Sequence, residues 1–365
     1  MANLPDSLYE DYSTSKLTLP SASSFAPTTT VVPFPDMDTI IQWINDLHNE
    51  IPFVSNSALQ NLVTHRNTYE ILPLLLWKSP CTMTMMLQEI VKIYPHISAP
   101  VHSQEGKPPR AYNILLLFQC VAHYPETRGY FLKAEMPHYL FPLMDIDLTY
   151  KPLECLRLGA LGVLAHMLKA VHTHYIVSSF TAYIFVTKRL NIILNISLVL
   201  QPIDGAAVRF LMDNGALRYC TKAIEIGSTE SKTVSVFILN KILSTNEGLQ
   251  YCCVLADRFF LIDGLLKKLL VYLSSMTNPS PSLFNLIAGC YAKLSQKPRA
   301  REGLWRYPPV MLLNGTFASL LAVRLKHFVE LCMVLVDAVI VKTLSVFVCV
   351  FLRRRTQTLL TTVSS

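Results

Sequence analysis

The 365-residue sequence predicts an all-α protein, a right-handed superhelical stack of helical repeats. Three observations carry that prediction. Apolar residues recur at helical spacing through most of the chain, and convincing strand-like alternation is missing from the same stretches. The junctions between successive helices also resemble one another at distances near a repeat length.

Taken in order, residues 1–35 are rich in Ser, Thr and Pro and lack a basic-then-apolar leader pattern, so a disordered arm is expected there. From Asp36 the chain turns helical. DMDTIIQWINDL opens on a capping aspartate and sets Ile40, Ile41, Ile44 and Leu47 on one face. The same period runs through TMTMMLQEIVKIY (82–94), AYNILLLFQCVAHY (111–124) and CLRLGALGVLAHMLK (155–169). It returns in SKTVSVFILNKIL (231–243), LIDGLLKKLLVYL (261–273) and SLFNLIAGCYAKL (282–294).

The joints between these helices share one plan. CVAHYPETRGYFL (120–132), FILNKILSTNEGLQYC (237–252) and CYAKLSQKPRAREGLW (290–305) each close an apolar helix, turn on a short polar stretch, and open a helix with a charged first turn. PIDGAAVRFLMDNGALRYC (202–220) begins in the same way. Measured between Pro125, Pro202, Ser244 and Pro298, the joints stand 77, 42 and 54 residues apart. The second spacing matches, and the third approaches, the period of armadillo and HEAT repeats, roughly 40–47 residues. The first is long because of residues 170–201, which hold no acid and no sustained helical period; without these 32 residues it becomes 45. The expected organisation is therefore an arm (1–35), a first set of armadillo repeats (36–169), an atypical insertion (170–201), a second set (202–321) and an atypical apolar tail (322–365).

Within that tail, residues 333–352 have the length of a membrane span and thirteen Val, Ile, Leu or Phe residues. These contribute about −4 to −8 kcal/mol, while Asp337 and Lys342 cost about +5 to +7 kcal/mol near a bilayer centre. The balance is close to zero, which leaves a tail-anchored membrane protein as one reading.

Composition narrows the chemistry. Apolar residues make up 51% and charged residues 16%, and the net charge of +7 permits an acidic partner such as RNA. The 12 glycines form no phosphate-binding loop of the common spacings. Nine scattered cysteines without a CxxC pair indicate a reduced, intracellular protein. Cys120 and His123 lie three apart, but no oxyanion element or third partner accompanies them, so packing accounts for them better than nucleophilic catalysis. His172 and His174 lack neighbouring ligands for a metal. No catalytic residue and no cofactor or metal site is expected.

One basic residue or more recurs per repeat: Arg128, Arg157, Lys232, Lys241, Lys293, Arg299 and Arg301. Equivalent helices of a solenoid line one groove, so this set could follow a phosphate backbone. The competing reading is capping and ion pairing within repeats, which the stretch around Pro298 favours, with Arg299 or Arg301 beside Glu302.

Seven ordered segments carry a family resemblance. IIQWINDL (40–47), the run 74–95, LLFQCVAHYPETRGYFL (116–132), LECLRLGALGVL (153–164), GSTESKTVSVFILNKIL (227–243), LSQKPRAREGL (294–304) and TFASLL (316–321) resemble the Rcd-one (required for cell differentiation) family. That family is the armadillo-repeat subunit of the CCR–NOT mRNA deadenylase complex. The resemblance covers about residues 38–169 and 202–321, and residues 170–201 and the tail look like translated non-coding sequence or the mark of a diverged copy. It implies a non-enzymatic adaptor in the cytoplasm, including mRNA-processing bodies, and the nucleus. Its partners would be the NOT scaffold, other deadenylase subunits and tryptophan-containing peptides of silencing factors, promoting deadenylation, decay and translational repression. RNA binding through the basic groove and a homodimer stay open. The helix 230–243, with Val234, Phe237 and Ile238, is the candidate wall of a peptide pocket.

Overall fold

The computed structural model of the chain describes residues 35–98, 110–147, 151–168, 205–313 and 316–317. The arm up to residue 34, His172, His174, the insertion 170–201 and the candidate span 333–352 lie outside the described residues. Every regular element among the described residues is helical, and none of those helices is long and apolar enough to cross a membrane. The chain divides into two compact units, residues 1–241 and 242–365.

The first unit opens with α1 (Met37–Asp46), capped as its sequence requires by Asp36, whose carboxylate accepts from Thr39 N at 2.9 Å. Ile40, Ile44 and Leu47 are buried; Ile41, expected on the same face, is 42% exposed because that face is narrower than four positions. The helices α2 (Pro52–Thr64), α3 (Leu72–Lys78), α4 (Thr82–Val91) and α5 (Tyr94–Ser98) follow. Then come α6 (Arg110–His123), α7 (Pro125–Lys133), a 3-10 turn (Met136–Leu140), α8 (Phe141–Met144) and α9 (Lys151–Met167). The unit closes with α10 (Gly205–Asp213), α11 (Ala216–Ile226) and most of α12 (Thr229–Leu243).

Its centre is the α6–α9 pair, the most extensive helix contact among the described residues. Both helices are apolar nearly all round, as fully enclosed helices are. Close approach rests on two glycines. A Cβ on Gly159 would stand 2.9 Å from Leu115 Cδ1, and one on Gly162 would stand 2.4 Å from Gln119 Nε2. Gln119, itself buried, donates from Nε2 to Gly159 O at 3.2 Å, so the helices are joined by a polar bond at the point of contact.

The second unit contains α13 (Asn246–Val254), α14 (Ala256–Ser274), α15 (Pro281–Leu294), α16 (Pro298–Arg306) and α17 (Val310–Leu313). α15 is its enclosed helix, with Leu283, Leu286, Ile287, Cys290 and Leu294 at or below 1% exposure. Tyr291, also enclosed, directs its hydroxyl to Asp263 Oδ1 at 3.2 Å, and Lys267 Nζ donates to Asp263 Oδ2 at 2.7 Å. That buried carboxylate on α14 is thereby paired with a cation and a phenol, as a buried charge must be. Proline starts α7, α15 and α16 at the first turn, where its missing N–H costs nothing.

Candidate functional site

The joints hold the molecule's recurring chemistry. A helix leaves its last carbonyls without intrahelical partners. At the α6–α7 joint, Arg128 answers that need: its Nε donates to Ala122 O at 3.1 Å and its Nη2 to His123 O at 2.6 Å. At the α15–α16 joint, Arg301 Nε donates to Ser295 O at 2.9 Å. Both arginines stand three residues after the proline and reach six residues back. Lys232 does the same work at the end of α11, donating to Gly227 O at 2.6 Å. Arg258, at the start of α14, donates to Tyr251 O at 3.2 Å with its guanidinium 3.8 Å above the Tyr251 ring.

Arg157 is fully buried on α9. It is ion-paired with Glu154 one turn earlier and donates to Ile146 O. The same carboxylate accepts from Ser228 N and Ser231 Oγ, each at 2.7 Å, so Glu154 also caps α12. Burial lowers the pKa of both Arg157 and Lys232, opposed in each case by the charge of Glu154.

The sequence-predicted basic set therefore separates by environment. In the first unit, Arg128, Arg157 and Lys232 are buried at 5%, 0% and 7% exposure, and Lys241 is half-buried with its ammonium 5.4 Å from the Phe237 ring. In the second unit, Lys293 and Arg301 are half-buried and Arg299 is exposed. Glu302, expected beside Arg299 or Arg301, instead pairs with Arg306 at 2.7 Å, one turn on along the same exposed face. Val234, Phe237 and Ile238 are at most 2% exposed and belong to the core. The sequence pattern alone does not single out Glu154, Ser228, Ser231 or Arg258. The one signal for the first was a Glu three residues before Arg157.

Nucleophilic chemistry has no support at the Cys120–His123 pair. The Cys120 thiol lies 3.5 Å from Leu116 O, and burial pushes its pKa up to about 11, the direction opposite to activation. Among the described residues no group of three or more His, Cys, Asp or Glu side chains is gathered as a metal would need.

A cleft of about 550 Å³ on the second unit is lined by Pro298, Arg301, Glu302, Trp305 and Arg306. Trp305 is 45% exposed there, so an aromatic surface lies beside charges of both signs. All five residues lie on one face of α16.

A profile of the cell differentiation family, Rcd1-like, matches residues 43–195 and 185–335, reaching into the expected insertion and past Leu321. Cell differentiation protein rcd1 of Schizosaccharomyces pombe is 33% identical over 264 residues, 72% of this chain and 81% of that one. Protein CAF40 of Saccharomyces cerevisiae is 32% identical over 264 residues, and the chain spans 62% of its length. In three dimensions the chain is similar to a designed armadillo repeat protein in complex with the peptide (KR)4, with a TM-score of 0.51, 13% identity and coverage of 81% and 99% of the two chains. A second designed armadillo repeat protein gives a TM-score of 0.51 at 14% identity, over 81% and 98%. These likenesses establish the fold as an armadillo-like stack.

Proposed function

Since the chain belongs to the Rcd1-like cell differentiation family, we propose that it is a non-enzymatic adaptor of the CCR–NOT deadenylase complex. In this reading it links the NOT scaffold to regulators bound on mRNA and so promotes deadenylation, decay and translational repression. It acts in the cytoplasm, including mRNA-processing bodies, and in the nucleus. The observation that carries the reading is the family match, which runs through both units. The fold is consistent with it: a stack of enclosed helices joined by short capped turns offers extended surface for other chains. Peptides with tryptophan are the proposed ligands, and the exposed Trp305 on α16 offers them an aromatic surface.

Affinity purification of the full chain from its own cells tests the proposal. NOT-scaffold and deadenylase subunits should co-purify, and a folded bait that recovers neither defeats it. Direct RNA binding is the weaker reading, because Arg128, Arg157 and Lys232 already donate to backbone carbonyls or to Glu154.

A further inference from the structure

The second unit carries an apolar face that its described helices leave open. On α14, Phe260, Gly264, Lys268 and Val271 fall within about a quarter turn of one another, given 3.6 residues per turn. Phe260 is 47% and Val271 58% exposed, and a Cβ added at Gly264 would meet nothing within 4 Å. Tyr307 extends the face: it is 59% exposed, its ring lies 6.2 Å from that of Phe260, and Lys267 Nζ holds its carbonyl at 2.7 Å. Val310, 59% exposed, opens α17, which packs on α14. Apolar residues scattered singly need no explanation, but here Phe260 and Tyr307 stand side by side, with Val271 further along the same face of α14.

We propose that this face is the docking site of the chain's own residues 333–352. That segment has thirteen Val, Ile, Leu or Phe residues and only Asp337 and Lys342 as charges, so in water it is driven onto apolar surface. The chain approaches it from this same unit. α17 lies on α14, and Phe317 is buried with its ring 5.0 Å from Phe284. Fifteen residues, 318–332, then separate Phe317 from Met333, a tether of at most about 50 Å when extended. A tether this short gives an intramolecular segment a large advantage over partners in solution. Any partner that uses this face binds in competition with the chain's own segment.

Photo-cross-linking of the full chain tests the contact. The probe p-benzoylphenylalanine replaces Phe260 in one variant and Val271 in a second; both sites are exposed, so folding is retained. Cross-linked peptides are then mapped by mass spectrometry. The expected product is an intramolecular link from either position into 333–352, severalfold stronger than from the same probe at Phe53 on the first unit. The proposal is overturned by links to a second copy, to membrane lipid, or to other parts of the chain, by equal capture at Phe53, and by no link at all.

Discussion

Arg128 shows what the recurring basic residues do. Its guanidinium is buried and faces the carbonyls at the end of α6, so removing it takes a charged donor from the buried Ala122 carbonyl and the half-buried His123 carbonyl. Arg128→Ala should cost about 2–4 kcal/mol, since each bond to a charged donor contributes about 1.5–3 kcal/mol. Arg301→Ala, with one bond and a half-buried side chain, should cost about 1–2 kcal/mol. Urea unfolding of both variants checks the order, and an Arg128→Ala protein as stable as its parent would remove the clamp role. The cysteines make a second prediction. Burial pushes Cys220 and Cys252 from 9.0 up to about 12, so the folded chain keeps protons that the unfolded chain releases. Their contribution to stability is complete below pH 9 and should be lost progressively as the pH rises toward about 12. Denaturation midpoints at about pH 8 and about pH 11 report the fall. Iodoacetamide at neutral pH should alkylate exposed Cys81 and spare Cys220 and Cys252 until the protein unfolds.

At the scale of elements, the α6–α9 contact is the most exposed to test. Gly162→Ala places a methyl group where Gln119 Nε2 now lies, and Gln119 can move only by giving up its bond to Gly159 O. The expected cost is about 1–2 kcal/mol, the usual consequence of a buried donor losing its partner. In a Gln119→Ala background the same change should become neutral, or stabilising by up to about 1 kcal/mol from helix propensity. A double-mutant cycle measures the coupling; additive effects would show that the two residues do not share the site. The elements themselves were largely legible. Period 3.6 located α1, α4, α6, α9, α12, α14 and α15 within a few residues, because an enclosed helix must be apolar at helical spacing. The joints were legible as charged first turns, but their geometry was not. Which way Arg128, Arg301 and Lys232 point depends on the carbonyls of the preceding helix, and only the folded turn brings those within reach.

Across the whole molecule, contacts in the first unit join residues 138–154 to residues 214–231 directly. Glu154 on α9 binds Ser228 and Ser231, His138 Nε2 lies 2.7 Å from Asn214 Oδ1, and Lys222 Nζ donates to Asp145 Oδ1 at 2.8 Å. The residues in each contact are 74 to 77 positions apart. Repeats that already bury their faces on each other do not need the connecting chain to do so. Deletion of residues 170–201 should therefore leave the helical circular dichroism spectrum and the capture of the NOT scaffold intact. It should also raise soluble yield and the thermal midpoint, because the segment is rich in β-branched residues with no acid among them. A deletion variant that unfolds would make those residues an integral part of the stack.

The sequence by itself determined the all-α class, the spacing of the joints and the family, since all three are written in patterns that act locally or repeat along the chain. Only the tertiary structure decided the place of the basic residues. A cation looks the same in sequence whether a phosphate or a backbone carbonyl receives it. Burial separates them: Arg157 and Lys232, enclosed beside Glu154, donate to backbone carbonyls, while Arg299 faces solvent. The same holds for Val234, Phe237 and Ile238, whose apolar character fits a pocket wall or a core equally well until their neighbours close over them.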